Sequence, residues 1–116
     1  MQPEDRDWAY LWDMREACQE ISDFTSGRSL EQFQNDKMLR RAVERSLEIV
    51  GEAARHVSDE TMSAHPGIPW KSIIGLRNLL AHEYGEARVD RLYLTATEKV
   101  PELLRYLENA LPSEAR

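Results

Sequence analysis

The sequence has few of the residues that break or cross-link a polypeptide chain. Among its 116 residues are five glycines, five prolines and one cysteine, Cys18. A single cysteine provides no intramolecular disulfide framework and no thiolate metal cluster, and it fits a reducing cytoplasm. A chain of this length can bury roughly two-thirds of its unfolded surface, so we expect a single domain over residues 1–116.

Long apolar runs and an excess of positive charge are also absent. No run approaches the roughly 20 apolar residues that a membrane-spanning helix needs, and the acidic start MQPEDRDW is unlike a secretory signal. With 15 basic and 21 acidic residues the formal charge is −6, which argues against broad attraction to nucleic acid. We therefore expect a soluble, cytoplasmic protein without a membrane contact, in which any nucleic-acid contact is local.

The first half of the sequence has helical periodicity. Apolar residues recur at three- and four-residue steps over about 7–23, and again along a second long element that runs to about Val57. Between these elements, Ser29 and Gln32 have the spacing of a capping box. They predict a helix that starts near Leu30.

The second half predicts further helices after a proline-rich connection, HPGIPW at 65–70. The helix that follows is predicted to end at Gly85, because glycine tolerates the left-handed terminating conformation best. A fourth helix is predicted from about Val89 to Val100, and Pro101 either opens a fifth short helix or kinks the fourth. Short connections between amphipathic helices predict an all-α, antiparallel bundle of four to five helices.

The stretch GLRNLLAHEYG concentrates polar side chains at the end of the third predicted long helix. At about 100° per residue, the core side of this helix consists of apolar residues: Ile73, Leu76, Leu79 and Leu80. Arg77 and Tyr84 fall beside that side. Asn78, His82 and Gly75 fall together on a polar face. A glycine inside a helix costs about 1 kcal/mol relative to alanine, which suggests that something approaches the backbone closely there.

A second copy of the chain is one candidate for that close approach. If the polar face packed on its twofold copy, two His82 side chains would line a shared cleft, with Asn78 orienting the rings and Arg77 reaching in from the flank. A histidine can take a proton from a ribose 2′-OH or give one to the leaving 5′ oxygen. The paired donors of arginine would hold the phosphate. This chemistry needs no metal and yields a 2′,3′-cyclic phosphate.

The same residues also have a purely structural interpretation. A histidine in the last turn of a helix often interacts only with terminal carbonyls and the helix dipole. An arginine beside a core face often extends its stem over apolar surface, and a tyrosine often packs its ring while its hydroxyl stays in water. The spacing of Arg77, His82 and Tyr84 alone does not decide between the two interpretations.

Four sequence segments resemble one known family. RNLLAHEY resembles the R-x4-6-H motif of HEPN-domain ribonucleases, in the R-N-x-x-x-H-x-Y form of the HepT family of toxin components. SLEIVGEAAR is similar to that family's second-helix tract, PGIPWKSIIGLRN to its entry into the motif helix, and VPELL to its C-terminal segment. The resemblance therefore covers nearly the whole chain, with the segments in the family's order.

The resemblance implies an all-α bundle of HEPN type and a homodimer with the active cleft at the dimer interface. It implies a ribonuclease toxin partnered by a small nucleotidyltransferase antitoxin of the MNT type, with RNA as substrate and no cofactor. Arg77 and His82 become the catalytic pair, and Asn78 becomes the polar residue of the motif. Tyr84 matches the family tyrosine to which the antitoxin adds AMP groups. In this chain GEARVD follows Tyr84, where family members often have an apolar or aromatic residue.

Other polar residues give weaker signals. His56 and His65 pair with no cysteine or carboxylate at a metal-ligand spacing, so we expect no metal site. The second long element carries several basic residues that could guide RNA, yet glutamates are interleaved with them, which favours a solvated face. Glu52 matches the family tract without an assigned role. The tryptophans are interpreted as core or interface anchors: Trp8, Trp12 and Trp70.

The sequence therefore predicts a metal-independent endoribonuclease, the toxin of a toxin-antitoxin pair. The alternative is a non-catalytic helical binding module that partners a nucleotidyltransferase through Tyr84 or the cleft. The net negative charge favours this alternative, whereas the intact set of Arg77, His82 and Tyr84 favours the enzyme. A purely structural bundle leaves Gly75 and the polar face without an explanation.

Overall fold

A computed structural model of the protein describes residues 3–111, and every regular element in that range is helical. The elements are α1 (Pro3–Thr25), α2 (Leu30–Gln34), α3 (Lys37–Arg55), α4 (Asp59–Ala64), α5 (Trp70–Ala81), α6 (Gly85–Leu94), a π-helical turn (Thr95–Lys99) and α7 (Val100–Ala110). The predicted all-α class is confirmed. Four to five long helices form the bundle, according to whether α6 and α7 are counted together, and α2 and α4 are short.

The helices α1 and α3 run in opposite directions. Asp7, near the start of α1, accepts hydrogen bonds from Ser58, which directly follows α3. Close to this contact, the ring of Tyr10 stacks on that of His56 at a centroid distance of 5.1 Å. The start of α1 therefore lies beside the end of α3, as expected for neighbours joined by a short connection.

The helices α3 and α5 also run in opposite directions and approach closely. A Cβ atom added to Gly51 would lie 3.3 Å from the backbone carbonyl oxygen of Ile73. Further along, Arg88 of α6 bonds both Glu44 of α3 and the carbonyl oxygen of Leu80 in α5. Gly51 therefore lets α5 lie against α3 without an intervening side chain.

The core is apolar and is formed by all four long helical segments. Its largest fully buried side chains are Phe33, Leu11, Met14, Ile21, Leu92, Leu107, Val43 and Cys18. The three tryptophans are partly buried and pack against this core, in agreement with their predicted role as anchors. Within the described residues no helix is both long and apolar enough to cross a membrane.

The predicted helix start near Leu30 is confirmed. The hydroxyl of Ser29 accepts from the Gln32 amide at 3.1 Å, and the Gln32 side chain accepts from the Ser29 amide at 2.9 Å. A second capped helix, α4, was not predicted. Its N-cap Ser58 accepts from the Thr61 amide, and Asp59 follows in the first turn, so a start signal is present in the sequence.

The predictions for the end of the motif helix α5 and for the start of the helix after it are wrong. The helix α5 ends at Ala81, not at Gly85, because the amides of His82 and Glu83 bond carbonyls only three residues back, at Leu79 and Leu80. Gly85 does have a left-handed conformation, with φ of +60°, but it begins α6, four residues before the predicted start of that helix.

Leu79 does not enter the core, since 43% of its surface is exposed. Fewer side chains of α5 enter the core than the helical projection predicts. Ile73 and Leu80 are buried, and Leu76 is half-buried. Leu79 instead lines an apolar groove towards α7.

The last helical segment changes its winding before Pro101. Residues Thr95–Lys99 form a π-helical turn, and α7 begins at Val100 with the proline in its first turn. A proline has no amide donor and its ring clashes with the carbonyl four residues back, which the wider winding relieves. Of the two alternatives for Pro101, the structure therefore shows the first, in which the proline opens a further helix.

Candidate ribonuclease site

The helix α5 is anchored firmly at its first residue. The indole nitrogen of Trp70 donates to the carbonyl oxygens of His65 and Met62 at 3.1 and 3.2 Å. The connection before it is thereby tied to the helix start, and Ile73 and Leu80 are buried further along. The polar residues at the end of α5 thus project from a helix that is fixed along its length.

A groove of about 610 Å³ lies between α3 and α5. Arg77 and Asn78 both line it, so the structure brings these two predicted site residues together. The remaining lining comes mainly from α3, where the polar members are Glu44, Arg45, Glu48, Glu52 and Arg55. The last residue of α5 that lines the groove is Ala81, directly before His82.

Carboxylates and guanidinium groups alternate in this groove. Three carboxylates each have a basic neighbour: Glu44 with Arg88 at 3.1 Å, Glu48 with Arg45 at 3.4 Å, and Glu52 with His56 at 3.4 Å. The last two pairs join residues three and four positions apart on α3 and its C-cap, as the interpretation of this face as a solvated surface predicts. Among the side chains described, neither Arg55 nor Arg77 forms an ion pair, so these two guanidinium groups are available to a phosphate.

His82 and Tyr84 lie in the three-residue connection between α5 and α6. Both are exposed to solvent, Tyr84 to 78% of its surface, and neither lines the groove. His82 is the C-cap residue of α5, the position that the structural interpretation predicts. Tyr84 has an extended backbone with φ of −133° and ψ of 160° and precedes the first residue of α6. The side chains of Tyr84 and His82 are therefore both accessible to solvent.

Gly75 has no neighbour that explains it. A Cβ atom added there would meet nothing within 4 Å among the described residues. The close approach that the sequence suggests is therefore not made by the described part of this chain, in contrast to Gly51. The outer surface of α5 around Gly75 is open to another molecule.

Two groups outside the groove have shifted pKa values. Burial alone raises the pKa of the Asp7 carboxyl, but hydrogen bonds from Ser58 and Thr61, with the nearby charge of Arg6, outweigh it and lower the pKa. Burial raises the pKa of the Cys18 thiol to about 12. In the described range, no three histidine, cysteine or carboxylate side chains lie close enough together to hold a metal ion.

The fold and the groove define an all-α protein with an exposed arginine and histidine at one helix end. A sequence model of the family described as "Ribonuclease HepT-like" matches residues 14–110. The chain belongs to this HepT-like ribonuclease family, as its sequence motifs predict.

Named relatives support the same family. A Methanocaldococcus jannaschii protein named "Putative RNase" is 37% identical over 86% of this chain and 92% of its own length. A Caldanaerobacter subterraneus subsp. tengcongensis protein with the same description is 35% identical, over 90% of this chain and 94% of its own. A Thermococcus cleftensis protein named "Probable ribonuclease HepT" is 38% identical over 81% and 86%. No solved structure matches this chain at a comparable significance.

Sequence reasoning missed the part that α6 plays beside the site. Arg88 bonds the carbonyl oxygen of Leu80 near the end of α5, Arg91 bonds Glu83 in the connection that follows, and neither arginine was singled out. Their separation of three residues places them on one face of a helix, a signal that was present in the sequence. It could not be used while that helix was predicted to begin only at Val89.

Proposed function

We propose that this protein is a metal-independent endoribonuclease and the toxin component of a toxin-antitoxin pair. The observation that carries the proposal is the exposure of Arg77 and His82 at the end of one anchored helix in a chain of the HepT-like ribonuclease family. Arg77 lines a groove, and His82 directly follows the last groove residue of α5. Arg77 and His82 are the proposed catalytic pair, and Asn78 supports them from the groove wall.

The reaction is an internal transfer within RNA. The ribose 2′ oxygen forms a bond to the neighbouring phosphorus while the bond from phosphorus to the 5′ oxygen breaks. One imidazole takes the proton of the 2′-OH, and a second, protonated imidazole gives a proton to the leaving 5′ oxygen. The guanidinium of Arg77 binds the phosphate and offsets the charge that develops on it. The products are a 2′,3′-cyclic phosphate and a 5′-OH.

A homodimer would supply the second imidazole. The open backbone at Gly75 lies on the same outer side of α5 as His82 in the helical projection, which supports packing of this face on its copy. A twofold axis beside α5 would bring two His82 rings into one cleft. The arginines and histidines of both subunits would then surround a single RNA strand.

The partner in this proposal is an MNT-type nucleotidyltransferase antitoxin that adds AMP to Tyr84. The exposure of the Tyr84 side chain supports its role as an acceptor, because the phenol oxygen has to reach the phosphorus of a bound nucleotide. The added phosphates would place negative charge two residues from His82. RNA would then be repelled from the cleft by like charge.

Expression in a bacterial host tests the enzyme. Wild-type protein is expected to arrest growth and to produce RNA fragments, and cleavage by the purified protein should persist in EDTA. His82→Ala and Arg77→Ala should abolish both effects, while His65→Ala, outside the site, should not. Co-expression of a cognate nucleotidyltransferase should restore growth of wild type but not of a Tyr84→Phe variant.

A non-catalytic binding module is the second candidate, and the position of His82 favours it. His82 is a solvent-exposed helix cap and does not line the groove in the single subunit. If wild type were harmless, or if its toxicity survived His82→Ala, Tyr84 and the groove would be interpreted as a docking surface for a nucleotidyltransferase.

A further inference from the structure

Two arginines of α6 hold the connection that carries His82 and Tyr84. Arg88 donates through Nε to Glu44 of α3 at 3.1 Å and through Nη1 to the carbonyl oxygen of Leu80 at 3.2 Å. Arg91, three residues later on the same face of α6, donates through Nε to the carboxylate of Glu83. Arg88 thus bonds the last turn of α5, before the connection, and Arg91 bonds a residue of the connection itself.

The bond from Arg88 lies at the point where α5 stops. In a continuing α-helix the carbonyl of Leu80 would accept from the amide of Tyr84. Here it accepts instead from the Glu83 amide at 3.2 Å and from Arg88. A guanidinium at the last carbonyls of a helix is also favoured by the helix dipole.

The bond from Arg91 is made to the one side chain of the connection that is not exposed to solvent. The Glu83 side chain is only 18% exposed, although it lies between two exposed residues. Tying Glu83 to α6 directs it inward, and the side chains of His82 and Tyr84 stay outside. Without this tether, three residues between two helices would have several conformations of similar energy.

We propose that Arg88 and Arg91 are positioning residues that fix the connection from His82 to Tyr84, and with it the direction of the proposed catalytic imidazole. The catalytic part of this inference rests on the proposed ribonuclease function. Arg88 also lines the groove, but its Nε and Nη1 donors are occupied by Glu44 and Leu80, so the proposal gives neither arginine an RNA contact. Arg88 also joins α3 to α5 through Glu44, so the groove wall and the histidine are held by one side chain.

The test compares Arg88→Met and Arg91→Met with Arg88→Lys and with Arg105→Met. Methionine keeps most of the apolar stem and removes the donors, and Arg105 is an exposed arginine of α7 without a hydrogen bond among the described residues. Amide hydrogen exchange and RNA cleavage kinetics are measured on each purified protein. Amides of α1 report whether a variant loosens the whole fold.

The methionine variants at positions 88 and 91 should raise exchange about tenfold for the amide of Glu83, which bonds the carbonyl oxygen of Leu80, with α1 unchanged. They should lower kcat about tenfold or more while KM stays within about twofold, because a displaced imidazole impairs the chemical step rather than RNA binding. Arg88→Lys should recover part of both losses. Arg105→Met should match wild type.

Three results would overturn the positioning role. The first is amide exchange in Arg88→Met equal to that in Arg105→Met, and the second is faster amide exchange with unchanged kcat. The third is a rise in KM alone, which would mean an RNA contact. A wild-type protein that cleaves no RNA would refute the proposed function and the catalytic part of the inference. The exchange rates would still decide whether the two arginines order the connection.

Discussion

At the residue scale, the sequence identified candidate groups for a site but not their surroundings. The types and spacing of Arg77, His82 and Tyr84 were enough to propose a site, because residue chemistry is local. Their exposure and the groove beside Arg77 depend on which faces of α3 and α5 meet, and no single-helix projection contains that information. The exposure of Leu79 was mispredicted for the same reason.

Cys18 provides a prediction about a single side chain. Burial raises the pKa of its thiol to about 12, and the side chain is fully enclosed by the core. We expect no reaction of the folded protein with a thiol reagent at pH 8, because the thiolate is the reactive species. Mass spectrometry should show one modification only after denaturation. Rapid modification under native conditions would contradict the burial.

At the scale of the helices, signals between neighbouring residues predicted the start of α2 but not the end of α5. Both hydrogen bonds of the capping box at Ser29 are present. They could be predicted because they join residues that are close in the sequence. At the end of α5 the carbonyl oxygen of Leu80 accepts from Arg88, eight residues further along the chain, and a terminating glycine alone could not reveal this contact. The π-helical turn was likewise not predicted, although Pro101 indicated a change at that point.

A substitution of Asp7 tests the hydrogen bonds that join α1 to the start of α4. Its carboxylate accepts hydrogen bonds from the backbone and hydroxyl of Ser58 and from the hydroxyl of Thr61. Because its pKa is lowered in the folded state, the carboxylate contributes stability that is complete above its unfolded pKa and is lost as the pH falls through the folded value.

We therefore expect Asp7→Asn to lower the free energy of unfolding at pH 7 by about 1.5–3 kcal/mol, the range for hydrogen bonds to a charged group. The difference from wild type should shrink as the pH falls below about 4, the usual range for an unfolded aspartate. Urea denaturation at pH 7 and pH 3 measures both values, with the exposed Asp13→Asn as control. A deficit that stayed constant with pH would contradict the lowered pKa.

At the scale of the whole molecule, the sequence predicted the fold class and the antiparallel order of neighbours. Short connections force consecutive helices to reverse, and the reversals of α1, α3 and α5 are observed through the contacts of Asp7 and Arg88. The single domain over residues 1–116 and the homodimer remain predictions. A helical projection does not show which surfaces of two copies would pair. The one indication it gives here is a small residue on the polar face.

The two helical glycines of the groove helices form a matched pair for testing the dimer. An alanine at Gly75 meets nothing within 4 Å in the part of the chain that the structure describes, whereas one at Gly51 meets the carbonyl oxygen of Ile73 at 3.3 Å. Gly75→Ala should stabilise the monomer by up to about 1 kcal/mol through helix propensity and should weaken dimerisation, because the added methyl group lies in the proposed interface.

Gly51→Ala should show the opposite pattern. It forces α3 and α5 apart, so it should lose stability or fail to gain any, without an interface of its own to disturb. Sedimentation over a dilution series, together with denaturation of each variant, separates the two effects. Unchanged dimerisation of Gly75→Ala would place the interface elsewhere on the molecule.

The most direct test of the account is the chemistry of the cleaved RNA ends. Purified wild-type protein, incubated with RNA in EDTA, should yield fragments with a 2′,3′-cyclic phosphate at one end and a 5′-OH at the other, and His82→Ala should yield none. Fragments ending in a 3′-OH and a 5′-phosphate, or equal cleavage by the His82→Ala variant, would contradict it.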